Sequence, residues 1–270
     1  MKSDRTTSLQ MGRRDQPASA YDNDQDYARP YHWYLSPDDI LHGGMDYWQY
    51  IQLAYQLVQP LQKQTIIEVG CGDGRVSDYF AAKFPNSRVV GIDISKKAIE
   101  FAQLLGQYAQ YRHVNVFSVE EVFDIVLLIE VLEHIPKDDI YRFLEKIRDL
   151  LKSNGSLVLS VPTPRAPMWH PGHVQHFTAG DLGEVLAEAR LQLTEIVYHL
   201  DFRLSRYSRG WSSLLRLFEN RIWTIHPAMQ VLKVIHYRYA MRASAKYGCR
   251  IVARAVRVSS HRETESDANN

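Results

Sequence analysis

Apolar residues follow two alternating patterns along the middle of the chain. Short runs of β-branched and other apolar residues are typical of buried parallel strands, and the stretches between several of them repeat an apolar residue every three or four positions, as a helix does. This alternation predicts right-handed crossovers and an α/β fold with a largely parallel sheet. The predicted strands are residues 65–69, 88–93, 113–117, 123–129, 156–161, 191–200 and 249–258.

Helical periodicity follows four of these strands. Asp181 lies three residues after Thr178, a spacing that predicts a capping box at the last of these helices. A turn is predicted at Asn154-Gly155, just before the fifth strand. The predicted helices follow Gly74, begin at Ser95, extend from Ile140 to Leu151, and begin near Thr178.

The size and composition of the chain predict one domain with polar ends. Its 270 residues, 45% of them hydrophobic, are enough for a large α/β domain over residues 29–258, with disordered tails at 1–28 and 259–270. Residues 29–60 are predicted to form cap helices: a short one that starts at Ser36-Pro37 and breaks at Gly43-Gly44, and a longer one that ends near Pro60.

The cysteines and the hydrophobic runs bear on the compartment in which the protein works. Cys71 and Cys249 lie far apart without metal-ligand spacing, which favours a reducing compartment over a disulfide framework. There is no signal-peptide pattern and no apolar run of the length that a membrane span needs. We therefore expect a soluble, cytoplasmic protein.

Three alternating glycines, Gly70, Gly72 and Gly74, connect the first strand to the helix that follows it. Glycines at such a turn allow positive φ and let a ligand approach the backbone, and the helix N-terminus beyond offers unpaired N–H groups. A dinucleotide fingerprint beginning at Gly70 needs a further glycine where this chain has Arg75. The second strand ends at Asp93, an acid that can accept hydrogen bonds from ribose hydroxyls.

Several motifs give the chain a specific likeness. The glycine motif resembles the first motif of class I S-adenosylmethionine-dependent methyltransferases, and the other motifs occur in that family's order, most like the branch of the ubiquinone-biosynthesis O-methyltransferases. The likeness covers roughly residues 65–200. It rests on Glu68-Val-Gly-Cys-Gly-Asp-Gly74, Gly91-Ile-Asp93, Phe123-Asp124, Glu130-Val-Leu-Glu-His-Ile135, Ser118-Val-Glu-Glu121, Pro162-Thr-Pro164 and His173-Val-Gln-His-Phe-Thr178.

The resemblance implies a doubly wound, seven-stranded, mostly parallel sheet whose last strand is antiparallel, with N-terminal cap helices and a helical insert between the last two strands. It also implies S-adenosylmethionine as cofactor. The link 118–122 is too short for the helix that the family normally has there. By resemblance the cofactor-binding residues are Glu68, Gly70, Cys71, Gly72, Gly74, Asp93, Ile94, Glu120 and Glu130.

The acceptor side of the predicted site is rich in acids and histidines. Methyl transfer is an in-line displacement, so the protein aligns the acceptor, and a base or metal is useful where the acceptor must lose a proton. Glu130, Glu133 and His134, with a histidine from the loop that ends in His173-Val-Gln-His176, can bind a divalent cation such as magnesium or zinc. The alternative is that the Glu-His pair only orders the loop.

The same residues are the candidates for catalysis. His173 or His176 is the predicted general base or metal ligand, because histidine titrates near neutral pH. Glu133 and His134 complete the predicted catalytic set, and His170, beside Pro171, is a weaker candidate of the same loop.

Residues 201–248 form a basic segment that the resemblance does not cover. The net charge of the whole chain is only +1, so this local excess of Arg and Lys is not visible in the total. Apolar residues at helical spacing predict two amphipathic helices there. Such helices fit three roles: peripheral contact with an anionic membrane, binding of phosphate groups or RNA, and a helical lid with a solvated basic face. The resemblance implies that an insert between the last two strands overhangs the acceptor pocket.

These observations predict transfer of a methyl group to oxygen of a small or lipid-linked acceptor. One alternative is a metal-assisted 2′-O-methyltransferase acting on RNA, and another is a scaffold or regulatory protein that has the fold but no chemistry.

Overall fold

The computed structural model of the protein describes residues 27–37, 44–58, 63–166, 172–201 and 242–258, with residues 203, 231, 234 and 237 between the last two ranges. His170, most of the predicted insert 201–248, and the predicted tails apart from Tyr27 and Ala28 lie outside these residues. Within the described ranges no helix combines the length and the apolar character needed to cross a bilayer.

In the part of the chain that the structure describes, seven strands form one sheet, as predicted. Strands β1 to β5 are parallel where they pair, and β7 lies antiparallel between β5 and β6, so the order is β3-β2-β1-β4-β5-β7-β6. The strands are β1 (Thr65–Val69), β2 (Arg88–Asp93), β3 (Gln110–His113), β4 (Phe123–Ile129), β5 (Leu151–Pro162), β6 (Leu191–Asp201) and β7 (Gly248–Arg257).

The strand order reverses beside β1. The chain passes from β1 outward to β2 and β3, and then returns to place β4 on the other side of β1. In an open α/β sheet, the crevice at such a reversal, beyond the carboxyl ends of the strands, is where ligands bind. The fold therefore brings the ends of β1, β2 and β4 to one place.

Helices cover both faces of the sheet. Trp48 and Phe80, from the first two helices, pack with Ile66 of β1 on one face, and Leu144 and Leu182, from the last two, belong to the core on the other. The helices are α1 (Gly44–Leu57), α2 (Arg75–Lys83), α3 (Lys96–Leu105), α4 (Ile140–Asp149) and α5 (Ala179–Glu188).

The predicted helix starts are confirmed by their caps. The Ser95 hydroxyl accepts a hydrogen bond from the Ala98 backbone N–H at the start of α3. Thr178 and Asp181 form the predicted capping box at the start of α5, each side chain accepting from the other's backbone N–H.

Two predicted strands are wrong in their bounds. The third strand is Gln110–His113 rather than 113–117, because the apolar residues that suggested a strand form a short 3-10 turn, Val116–Ser118, that packs into the core. The fifth strand begins at Leu151, five residues before the predicted start, so Leu151 ends no helix and the predicted turn at Asn154-Gly155 lies within β5.

Candidate functional site

A cavity of about 880 Å³ lies at the reversal of strand order. The glycine turn after β1 and the end of β2 form one wall, the segment after β4 and the loop at His173 form the opposite wall, and residues 27–32 with tyrosines of α1 form a third. The predicted site residues that line it are Glu68, Gly70, Cys71, Gly72, Asp93, Ile94, Glu130, His134 and His173. Those outside its lining are Gly74, Glu120, Glu133 and His176.

Asp93 and the glycine turn are joined directly. The backbone N–H of Gly72 donates to Oδ2 of Asp93 over 2.9 Å, and the backbone N–H of Ser95 donates to Oδ1 over 2.8 Å. Burial raises the pKa of Asp93, and the two backbone hydrogen bonds oppose this rise. A carboxylate has more than two acceptor positions, so Asp93 is fixed in place and still able to accept from a ligand in the cavity.

Gly74 has a packing role instead of a place in the cavity. Its φ is +83°, and a Cβ there would lie 2.6 Å from the Tyr111 ring and 2.7 Å from Cβ of Ala102. The Tyr111 hydroxyl donates to the Gly74 carbonyl over 3.0 Å. The third glycine of the motif thus permits close packing of α3 and β3 against the turn.

Glu68 is a buried acid at the back of the cavity. Its carboxylate accepts a short hydrogen bond from the Ser77 hydroxyl of α2. Burial raises the pKa of Glu68 to about 8, although the Ser77 hydrogen bonds act in the opposite direction. Burial therefore favours the protonated form of Glu68 in the folded protein.

Glu120, a cofactor-binding residue by resemblance, does not reach the cavity. It is exposed to solvent and outside the cavity lining, whereas the segment 114–117 lines the cavity beside Ile94. The short link after β3 folds as a 3-10 turn, and this turn places Phe117 in the cavity lining.

Glu130 is held by two partners. The Ser160 hydroxyl donates to Oε1 over 2.7 Å, and Nη2 of Arg250 on β7 donates to Oε2 over 2.8 Å. Burial acts to raise the pKa of Glu130, but the charge and hydrogen bonds of Arg250 and the hydrogen bond from Ser160 outweigh it and hold the pKa below its ordinary value. Glu130 is an ionised carboxylate at the cavity wall.

Glu133, His134 and His173 form a group whose ligating atoms all lie within 4.8 Å of one another. Glu133 is fully buried, and no hydrogen-bond donor from another described residue reaches either of its carboxylate oxygens. Nε2 of His173 lies 3.9 Å from Oε1 of Glu133. Burial, and next the charge of Glu130, raise the pKa of Glu133 well above its ordinary value.

Glu130 does not belong to this group, although it was predicted as a fourth metal ligand. Its two oxygens bond to Ser160 and Arg250, and it is not one of the residues whose ligating atoms meet within 4.8 Å. Among the described residues the predicted four-residue set is thus reduced to three.

Hydrogen bonds orient both histidines of the group. Nδ1 of His134 bonds to the Gly172 carbonyl over 3.0 Å, and Nδ1 of His173 lies 2.9 Å from Nε2 of His176. His176 also bonds to the Thr163 backbone, and burial lowers its pKa. In the tautomers that satisfy these bonds, His134 and His173 carry their proton on Nδ1 and present Nε2 as an acceptor. His176 is thus a partner of His173 and does not line the cavity.

Sequence reasoning missed three residues of the site. Tyr27 lines the cavity although it precedes the predicted start of the domain, Asp73 lies within the glycine motif and binds the N-terminal segment, and Arg250 holds Glu130. Arg250 lies in a strand whose other residues are mostly apolar, but Arg254 and Arg257 of the same strand give the same signal, so the sequence does not single out Arg250. Tyr27 gives no comparable signal.

Comparison with known proteins agrees with this geometry. Residues 67–157 match the sequence profile of a family described as "Methyltransferase domain". The chain is 33% identical over 113 residues to the ubiquinone biosynthesis O-methyltransferase of Nitrosomonas europaea, a match that covers 39% of this chain and 46% of that protein. It is 31% identical over 127 residues to N-methyltransferase 4 of Papaver somniferum, covering 44% and 34%. This chain thus spans less than half the length of either relative.

A solved structure supports the fold. The TehB-like SAM-dependent methyltransferase from Corynebacterium glutamicum aligns with a TM-score of 0.51 at 16% sequence identity, covering 77% of this chain and 87% of that one. The domain profile, the relatives and the shared fold agree with one another. Residues 67–157 are thus similar to a methyltransferase domain, and the chain has the fold of SAM-dependent methyltransferases of known structure.

Proposed function

We propose that this protein transfers a methyl group from S-adenosylmethionine to a hydroxyl oxygen of a small or lipid-linked acceptor. One observation carries the proposal: a single cavity has the glycine turn and Asp93 on one wall and the oriented residues His134 and His173 on the opposite wall. The donor and the acceptor sites therefore face each other, as an in-line displacement requires.

The residues present fit S-adenosylmethionine. Asp93 suits the ribose hydroxyls, and the backbone of Gly70 and Gly72 allows a ligand to approach closely. Glu68 suits a cationic group because it is a buried acid that lines the cavity and forms no ion pair with the described residues. The cofactor, when bound, supplies the electrophilic methyl group. The chain holds it and excludes water from the cavity.

The group of Glu133, His134 and His173 fits a divalent cation. The buried Glu133 carboxylate lacks a donor among the described residues, and an ion would compensate its charge. Glu133, with Nε2 of His134 and Nε2 of His173, would hold the ion, and the His134 to Gly172 and His173 to His176 bonds would fix the two rings. A cation there would lower the pKa of an acceptor hydroxyl.

This arrangement favours oxygen over nitrogen as the acceptor atom. A neutral amine can attack the methyl group without first losing a proton, whereas a hydroxyl benefits from a base or a cation at its oxygen. His134 and His173 supply those groups at the cavity wall. The curated relatives include both O- and N-methyltransferases, so acceptor choice is tested directly.

The test has two steps on the purified full chain. Calorimetry with S-adenosylhomocysteine measures cofactor binding, and we expect Asp93→Ala to weaken it at least about tenfold, through loss of two charged hydrogen bonds, while the exposed Asp138→Ala leaves it unchanged. Methyl-labelled cofactor is then supplied with phenols, amines, polyprenyl-linked phenols and short RNA, with and without chelator. Absence of cofactor binding at millimolar ligand would refute the proposal, and label found only on amines or RNA would refute its acceptor.

A further inference from the structure

The N-terminal strap, residues 27–35, is held across the glycine turn by Asp73. The backbone N–H of His32 donates to Oδ2 of Asp73 over 3.0 Å, and Nδ1 of His32 lies 3.0 Å from Oδ1. The indole N–H of Trp33 donates to the Asp73 carbonyl over 2.7 Å. Asp73 is fully buried, so the strap and the turn share a desolvated set of hydrogen bonds.

Arg75 adds a second connection between the strap and the body of the protein. Its guanidinium lies 4.6 Å from the centre of the Trp33 ring and 4.7 Å from the centre of the Trp48 ring. Trp48, on α1, donates its indole N–H to the Leu35 carbonyl over 2.9 Å. The glycine turn thus holds the strap at His32 and Trp33, and α1 holds it at Leu35.

Fixing the strap brings Tyr27 onto the glycine turn. The Tyr27 hydroxyl is so close to Gly72 that a Cβ there would lie 2.3 Å from it. The ring is 9% exposed, stacks on Tyr31 with ring centres 5.6 Å apart, and lines the cavity together with Gly72 and Asp93. Because the Gly72 N–H is bonded to Asp93, Tyr27 lies on the wall that presents this carboxylate to the cavity.

We propose that Tyr27 is a cofactor-contacting residue, and that Asp73 and His32 are positioning residues that hold it over the glycine turn. The inference rests on the proposed function, since it assigns part of the S-adenosylmethionine pocket. It adds an aromatic wall that comes from outside the matched domain: the strap begins 40 residues before residue 67, where the family profile starts. Cofactor binding then depends on the order of the strap.

The experiment is calorimetry of the full chain with S-adenosylhomocysteine. Tyr27→Ala should weaken binding about tenfold, the scale of a lost aromatic contact together with its hydroxyl. His32→Ala, which alters the strap and leaves the turn intact, should weaken binding in the same direction. The double variant should bind about as weakly as Tyr27→Ala alone, because His32 acts through Tyr27. Tyr34→Ala is the matched control, since this strap aromatic is 71% exposed and does not line the cavity.

Hydrogen exchange separates positioning from general stability. In the wild type, S-adenosylhomocysteine should slow exchange of the His32 and Trp33 amides, and in Tyr27→Ala this protection should be lost while a peptide over α4 is unchanged. If the wild type does not bind S-adenosylhomocysteine, the proposed function fails. If the wild type binds it and both Tyr27→Ala and His32→Ala bind it equally well or more tightly, this inference alone is overturned.

Discussion

Arg250 of β7 donates a hydrogen bond of 2.8 Å to Glu130, the residue that follows β4, and the side chains of both are 21% exposed. The φ of Glu130 is +55°, a conformation that non-glycine residues avoid. Its carboxylate is bonded at both oxygens, to Arg250 and to Ser160. These bonds hold an acidic side chain at the cavity wall in a backbone conformation that is unfavourable on its own.

We predict that Arg250→Met destabilises the protein by about 2 kcal/mol, because it leaves a partly buried carboxylate with one partner instead of two. Urea unfolding measures the change. Arg254→Met, on the same strand, is the matched control: the Glu195 partner of Arg254 is 50% exposed at 3.4 Å, so its loss should amount to less than about 1 kcal/mol. Equal losses for the two variants would contradict a special role of the Arg250 pair.

The sheet could be predicted where each strand carries its own signal. β4 is a continuous apolar run because it is buried on both faces at the centre of the sheet. The predicted bounds of β3 are wrong because Gln110–His113 is a polar, largely exposed edge strand, while the apolar residues that follow it pack into the core as a turn. The pattern of apolar residues indicates which residues are buried. At the edge of the sheet a strand can pair with its neighbour without being buried, so the pattern does not locate it.

The candidate site divides in a similar way. Gly72 and Asp93 were predictable because the motif that carries them is local and the parallel topology brings the ends of β1 and β2 together. Tyr27 and Arg250 were not, because they reach the site through packing of segments far from it in sequence. Their roles depend on tertiary contacts that no spacing rule describes.

The cation site gives a second prediction. The full chain, purified, stripped with chelator and reloaded with zinc, should bind about one ion, and Glu133→Gln should lose this binding because a neutral amide is a poor ligand. His176→Ala should keep the three ligands and weaken zinc binding about tenfold or more, through loss of the hydrogen bond that orients His173. Metal content by mass spectrometry and calorimetry of zinc binding measure both.

His113→Ala is the control for that series, because His113 is exposed and bonds only the Ile94 carbonyl among the described hydrogen bonds. Its zinc content should equal that of the wild type. Equal zinc content in the wild type and Glu133→Gln would exclude the site. The alternative role, in which Glu133 and His134 only order the loop, predicts that outcome.

Glu68 leads to a prediction about pH. Its pKa rises from an ordinary 4.5 to about 8 in the folded protein because of burial, so the folded state binds this proton more tightly than the unfolded state. The resulting stabilisation is complete below pH 4.5 and is lost as the pH rises through about 8. Glu68→Gln, which does not titrate, should therefore gain stability relative to the wild type across this window. Thermal unfolding from pH 5 to 9 measures the difference, and a constant difference would show that Glu68 titrates normally.

Two glycines provide a matched pair for the last prediction. Gly74→Ala should destabilise the protein by about 2 kcal/mol or more, because φ is +83° and the added Cβ would meet the Tyr111 ring at 2.6 Å and Ala102 at 2.7 Å. Gly183→Ala, within α5, meets nothing within 4 Å and should stabilise the protein by up to about 1 kcal/mol, because alanine is the better helix former. Urea unfolding without cofactor separates the two. If the free energy of unfolding of Gly74→Ala equals that of the wild type and only cofactor binding is lost, Gly74 belongs to the ligand pocket and has no packing role.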